Sequence, residues 1–122
     1  MTEKVFHSLS QSVARLTEIL REPKTVANRD SAIKRFELTF ELAWKSIKKA
    51  LENRGVECQS PRDCFEKAFL AGVVADNPLW LKMIEDRNLS VHTYNEKLAE
   101  RIYGRLEDYL RLFVQLNSSL AK

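Results

Sequence analysis

The stretch Ile33-Lys34-Arg35-Phe36-Glu37-Leu38-Thr39-Phe40-Glu41-Leu42-Ala43-Trp44-Lys45-Ser46-Ile47-Lys48-Lys49-Ala50-Leu51 decides the fold. Ile33, Phe36, Phe40, Trp44, Ile47 and Leu51 recur at intervals of three and four, which puts them in one narrow arc of a helix at about 100° per residue. The spacing predicts a long helix from about Val26 to Arg54, stopped by Gly55. Trp44, mid-stripe between Phe40 and Ile47, reads as core. Leu38 and Leu42 fall on the opposite side beside Arg35, Lys45 and Lys49. A second apolar spot means either deeper burial or contact with another chain.

Working outward, Phe6, Leu9, Val13, Leu16 and Leu20 form a single stripe on a first helix that should end at Arg21-Glu22, because Pro23 cannot continue it. Ser60-Pro61-Arg62-Asp63 reads as an N-cap, a proline at the first helical position and an acid in the first turn. The third helix carries Phe65, Ala68, Phe69 and Ala71 and ends at Gly72. Asn77-Pro78 repeats the start signal for a fourth helix with Leu79, Trp80, Met83 and Ile84, where Trp80 again reads as core. A last helix from roughly Tyr94 to Leu116 shows Leu98, Ile102, Leu106, Tyr109, Leu110, Phe113 and Leu116. The expected fold class is all-α, an up-and-down bundle of four or five helices.

Composition agrees. A length of 122 residues fits one domain spanning 1–122 and no second one. Apolar residues at 44% and charged residues at 30% exclude wholesale disorder. Three glycines and three prolines are too few for the many turns of an all-β fold. No apolar run reaches the length of a membrane span, and Met1-Thr2-Glu3-Lys4-Val5-Phe6-His7 lacks a signal peptide's apolar run. A cytoplasmic location without a membrane partner is expected, with Cys58 and Cys64 as free thiols in a reducing compartment. The net charge of +3 permits a nucleic-acid partner without arguing for one.

Most kinds of active site are missing from the sequence. It has no phosphate-cradling glycine loop and no recognisable nucleophile motif. His7 and His92, the only histidines, lie far apart in the chain, and C-x5-C is not a zinc spacing, so no metal and no cofactor are expected. Glu37 and Glu41 share one helix face and read as solvated or paired with Lys45 and its neighbours.

One stretch differs: Glu85-Asp86-Arg87-Asn88-Leu89-Ser90-Val91-His92-Thr93-Tyr94. Arginine offers a permanent, planar charge matched to phosphate oxygens, and histidine both takes and gives a proton near neutrality. Together they suffice for metal-free RNA cleavage: the imidazole removes the 2′-hydroxyl proton, that oxygen attacks phosphorus, and the guanidinium steadies the phosphoryl charge. In one unbroken helix Arg87 and His92 would point about 140° apart. They converge only if the helix breaks near Asn88–Ser90 or if two copies meet across a two-fold axis. Arg87 and Tyr94, seven apart, would share a face of such a helix.

Arg-x4-His-x-Tyr, here Arg87, His92 and Tyr94, resembles the signature of the HEPN superfamily. With Phe36-Glu37-Leu38-Thr39-Phe40-Glu41-Leu42-Ala43-Trp44-Lys45, Ser60-Pro61-Arg62-Asp63, Trp80 and Asp86-Arg87-Asn88, the chain resembles more closely the nucleotidyltransferase substrate-binding protein family, which includes HepT-type toxins. The resemblance implies an all-α homodimer and a minimal nucleotidyltransferase (MNT) as partner. For HepT-like members it implies a metal-independent ribonuclease, the toxin of a toxin–antitoxin pair, whose Arg and His line a cleft between protomers. Arg87 would then bind phosphate, His92 would be the general acid/base and Asn88 a polar helper. Tyr94 would be the residue that the partner AMPylates to silence the toxin. The same resemblance also fits a non-catalytic substrate-binding subunit of a two-chain nucleotidyltransferase.

Overall fold

Two glycines with positive φ, Gly55 and Gly72, both at 77°, and the proline at Pro23 punctuate the first two-thirds of the chain where the sequence places them. The computed structural model describes residues 3–121. Helix α1 covers Lys4–Leu20, α2 Val26–Glu52, α3 Pro61–Leu70, α4 Leu79–Leu89, α5 Glu96–Tyr103 and α6 Leu106–Leu120, with a single 3-10 turn at Ser90–His92 between α4 and α5. Among the described residues there is no strand. No helix there is long and apolar enough to cross a membrane.

Side-chain acceptors mark the starts of α2, α3, α4 and α5. Thr25 accepts from the Asn28 N–H at 3.0 Å at the start of α2. Ser60 accepts from the Asp63 N–H at 3.2 Å at the start of α3, and Asn77 from the Leu79 N–H at 2.9 Å at the start of α4. The expected helix from Tyr94 to Leu116 is in fact two. Asn95 caps α5 by accepting from the Leu98 N–H at 3.1 Å, which leaves Tyr94 outside any helix. The break at Gly104-Arg105 falls at the residue with the weakest helix preference in the segment, and the Arg105 N–H turns back to Ile102 O instead of Arg101 O.

Helices α1, α2 and α6 pack side by side, and α3, α4 and α5 close over α2 and α6. An aromatic chain ties the layers together. Phe36 stacks on Tyr109 with centroids 5.4 Å apart, Phe40 meets Phe65 edge-on at 5.9 Å, Phe65 lies 4.7 Å from Trp80, and Trp80 meets Phe113 at 6.3 Å. Ser12 and Thr39, both buried, join α1 to α2 by a hydroxyl pair at 2.7 Å. The Arg29 guanidinium, also buried, reaches from α2 to Glu96 of α5 at 2.6 Å.

Two further expectations need correction, and one of the two alternatives for Leu38 and Leu42 falls away. Trp80 is core, but Trp44 is half-buried at the core's edge: it packs against the core while its indole N–H donates to Glu41 at 3.1 Å. Leu38 is 41% exposed and, with Leu42, lines an open groove against α1, so α2 is not buried on both sides within this chain. Cys58 and Cys64 are not free thiols: they form a disulfide with Cα atoms 5.0 Å apart. The turn at Gln59-Ser60 explains it. The Gln59 N–H donates to the Asp63 carboxylate at 2.9 Å, which folds Cys58 back onto the first turn of α3.

Candidate functional site

The last turn of α4 is held from below. Asp86, wholly buried, accepts from Arg105 Nη1 at 2.9 and 3.0 Å and from the Tyr109 hydroxyl at 2.5 Å. Burial first, and the Asp86 carboxylate second, push the Tyr109 phenol well above its ordinary value, so it stays protonated and donates. For Arg105 burial opposes the charge, and Asp86 outweighs it, so its pKa rises. Tyr109 is the residue that stacks on Phe36 of α2. One buried carboxylate therefore fixes α4 relative to both α6 and α2.

The next side chain turns the other way. Arg87 reaches α2, with Nη1 3.2 Å from Glu37 Oε2 and Nε 3.4 Å from Glu41 Oε1. Both approaches are ion pairs, and Nε is left buried with no hydrogen-bond partner. Glu37 and Glu41 are thus paired with Arg87, not with Lys45 as the sequence suggests. Glu37, Glu41 and Trp44 occupy one face of α2 at intervals of four and three, so the Phe-Glu-Leu-x-Phe-Glu-Leu-Ala-Trp-Lys block supplies the surroundings of Arg87.

The helix does break where the sequence allowed. Ser90 donates its hydroxyl to Arg87 O at 2.8 Å, and the chain tightens into the 3-10 turn that carries His92. His92 and Tyr94 are exposed, their rings edge-to-face at 5.6 Å, with His92 Nδ1 3.0 Å from the Tyr94 hydroxyl. Tyr94 is 81% exposed, more than the neighbouring Val91 at 62%. Asn88 is exposed and lines an open groove with Arg62, Leu81 and Lys82. Among the described residues no hydrogen bond or ion pair joins Arg87 to His92 within one chain. Nor is any group of His, Cys, Asp or Glu among them arranged to hold a metal ion.

Sequence reasoning therefore placed Arg87, Asn88, His92 and Tyr94 around one helix end and missed Asp86, Arg105 and Tyr109. A signal existed: Asp86 falls three residues after Met83 on the apolar side of α4, and an acid there requires buried partners.

The model of the family described as "Nucleotidyltransferase substrate binding protein like" matches residues 2–122. The chain belongs to that family. Among its relatives is a Haemophilus influenzae protein named "Probable ribonuclease HepT", 25% identical over 118 residues, covering 88% of this chain and 81% of that protein. A Thermus thermophilus protein of known crystal structure is 42% identical with a TM-score of 0.86, over 93% of this chain and 99% of that one. A Haemophilus influenzae structure, described as revealing the fold of a substrate-binding domain of a nucleotidyltransferase, is 25% identical with a TM-score of 0.74, over 97% and 95% of the two chains. This chain shares that α-helical bundle fold, and in it the Glu37–Trp44 face of α2 and the end of α4 lie together.

Proposed function

We propose that this chain, residues 1–122 as one HEPN-like domain, is a HepT-like ribonuclease toxin that acts in the cytoplasm without a metal and is neutralised by a minimal nucleotidyltransferase. The observation that carries the reading is the helix break itself. It releases His92 and Tyr94 to solvent while Arg87 stays on the preceding helical turn, so a proton-transfer group and a phosphate-binding group flank one exposed corner. Kinship to a protein named as a probable ribonuclease supports it.

In this reading His92 takes the 2′-hydroxyl proton, the 2′-oxygen attacks the adjacent phosphorus and the 5′-oxygen leaves with a returned proton. The products are a 2′,3′-cyclic phosphate and a 5′-hydroxyl. The Tyr94 hydroxyl on Nδ1 leaves His92 Nε2 for the RNA. Arg87 and His92 do not meet in one chain, so the working cleft is assembled from two copies across a two-fold axis. AMP on Tyr94 would place a negative phosphodiester and a bulky nucleoside beside Arg87 and His92, and both oppose RNA binding.

The test is cleavage of an oligoribonucleotide in EDTA by the purified chain. Arg87→Ala and His92→Ala should each abolish it while circular dichroism stays unchanged; full activity in either variant, or loss of wild-type activity on chelation, refutes the mechanism. Incubation with the partner nucleotidyltransferase and ATP should add the mass of an adenylyl group that disappears in Tyr94→Phe. A monomer in sedimentation at micromolar concentration would overturn the shared cleft. The second reading, a non-catalytic substrate-binding subunit, is favoured by the description of the Haemophilus structure. It predicts complex formation with the nucleotidyltransferase and no growth arrest when the chain is expressed alone.

A further inference from the structure

We propose that Glu37 and Glu41 are positioning residues for Arg87, and that Trp44 steadies Glu41 from behind. The proposal rests on the ribonuclease reading for its kinetic consequence and on geometry alone for its structural one. Three contacts form a relay along one face of α2: the Trp44 indole N–H donates to Glu41 at 3.1 Å, Glu41 faces Arg87 Nε at 3.4 Å, and Glu37 takes Arg87 Nη1 at 3.2 Å. Arginine has several rotatable bonds, and a free one must be ordered each time a phosphate arrives. Here two carboxylates lie against Nη1 and Nε as ion-pair partners, and the buried Nε keeps no hydrogen bond of its own. Ser90 holds the backbone carbonyl of the same residue, and Asp86 anchors the turn beneath it.

The opposing effect is electrostatic. Two carboxylates against one guanidinium leave a local charge of −1 that repels RNA. If repulsion dominated, the pair would act as a gate, and removing its charge would tighten binding. Glu37 at 17% and Arg87 at 25% exposure are partly buried, and Glu41 at 39% forms the open edge of the cluster, so the Glu37–Arg87 pair is less screened than a loose surface pair. Groups held by a supporting shell of this kind react faster because their geometry is already set, and small displacements cost large factors in rate.

The experiment measures single-turnover cleavage of an oligoribonucleotide and binding of its all-2′-deoxy counterpart, which lacks the nucleophile. Glu37→Gln/Glu41→Gln should slow cleavage about tenfold or more, with binding changed far less. Trp44→Phe, which keeps the ring and loses the N–H, should slow it less. In an Arg87→Lys background the glutamine changes should lose their effect, since their target is gone. Tighter binding with undiminished cleavage in the double variant overturns the proposal in favour of a gate. A second readout does not depend on catalysis: 15N relaxation of the Arg87 Nε–Hε group should report an ordered side chain in the wild type and a loosened one in the double variant. Equal mobility in both overturns positioning even if the chain cleaves RNA. An inactive wild type with an ordered Arg87 that loosens in the variant would refute the ribonuclease reading and leave the positioning intact.

Discussion

Arg87 and His92 stand five positions apart, yet they sit in opposite kinds of surroundings. On the Arg87 side a fully buried carboxylate with two hydrogen-bonding partners holds the turn, and two glutamates of α2 pair with the guanidinium. On the His92 side a single hydrogen bond at 3.0 Å joins two exposed rings. The difference separates roles that one motif runs together. The held side sets a charge in place, and such a charge gains from rigidity. The free side must meet a substrate, a second copy or a modifying enzyme, and each needs access. A helix that continued through Ser90 would have made both sides equally rigid and turned them away from each other.

The largest effect that sharpens this comparison is on stability. Asp86→Ala leaves the Arg105 charge and the Tyr109 hydroxyl without their buried acceptor, and losing one member of such a pair costs about 3–5 kcal/mol. His92→Ala and Tyr94→Phe remove exposed groups and should change stability by no more than about 0.5 kcal/mol. Urea denaturation of the three variants checks both halves. A loss at His92 comparable to that at Asp86 would erase the distinction between a held and a free side.

Much of this architecture was legible in the sequence. Ile33, Phe36, Phe40, Ile47 and Leu51 are core because an apolar stripe at helical spacing has few other ways to leave water, and Pro23, Gly55 and Gly72 mark ends because of backbone geometry. The departures have distinct physical causes. Trp44 fits the stripe by period, but its indole N–H had a carboxylate three residues away, and a residue with one polar end settles where both ends are served. The pairing of Glu37 and Glu41 with Arg87 joins positions some fifty residues apart, which a periodicity along one helix cannot reveal. The buried role of Asp86 depends on Arg105 and Tyr109, nineteen and twenty-three positions later, which the pattern of α4 alone does not show. The apolar stripe from Leu98 to Leu116 continues across Gly104, so the period alone gives no sign of the break between α5 and α6.

The smallest effect concerns what keeps the free side in place after Tyr94. Helix α5 begins two residues later and is fastened to the start of α2 by charge: Arg29 to Glu96, and Lys24 to Glu100 at 2.5 Å. The Arg29 guanidinium holds the Glu96 carboxyl below its ordinary value of 4.5, and Lys24 first, with Arg29 behind it, does the same for Glu100. Both pKa values are depressed in the folded chain, so the unfolded chain binds more protons in the acid range. The stabilisation is therefore complete above the ordinary carboxylate value and is lost as pH falls through the folded one. Both glutamates face water, so solvent screening keeps the contribution small. The melting temperature should be level from neutrality to about pH 5 and fall below it, and Glu96→Gln/Glu100→Gln should make that fall shallower by no more than a few degrees. Hydrogen exchange along α5 gives the local test: acid should speed exchange of its amides in the wild type more than in the double variant. The same acid dependence in both would mean that α5 is held by Leu98, Ala99 and Ile102 packing into the core, with the ion pairs contributing nothing.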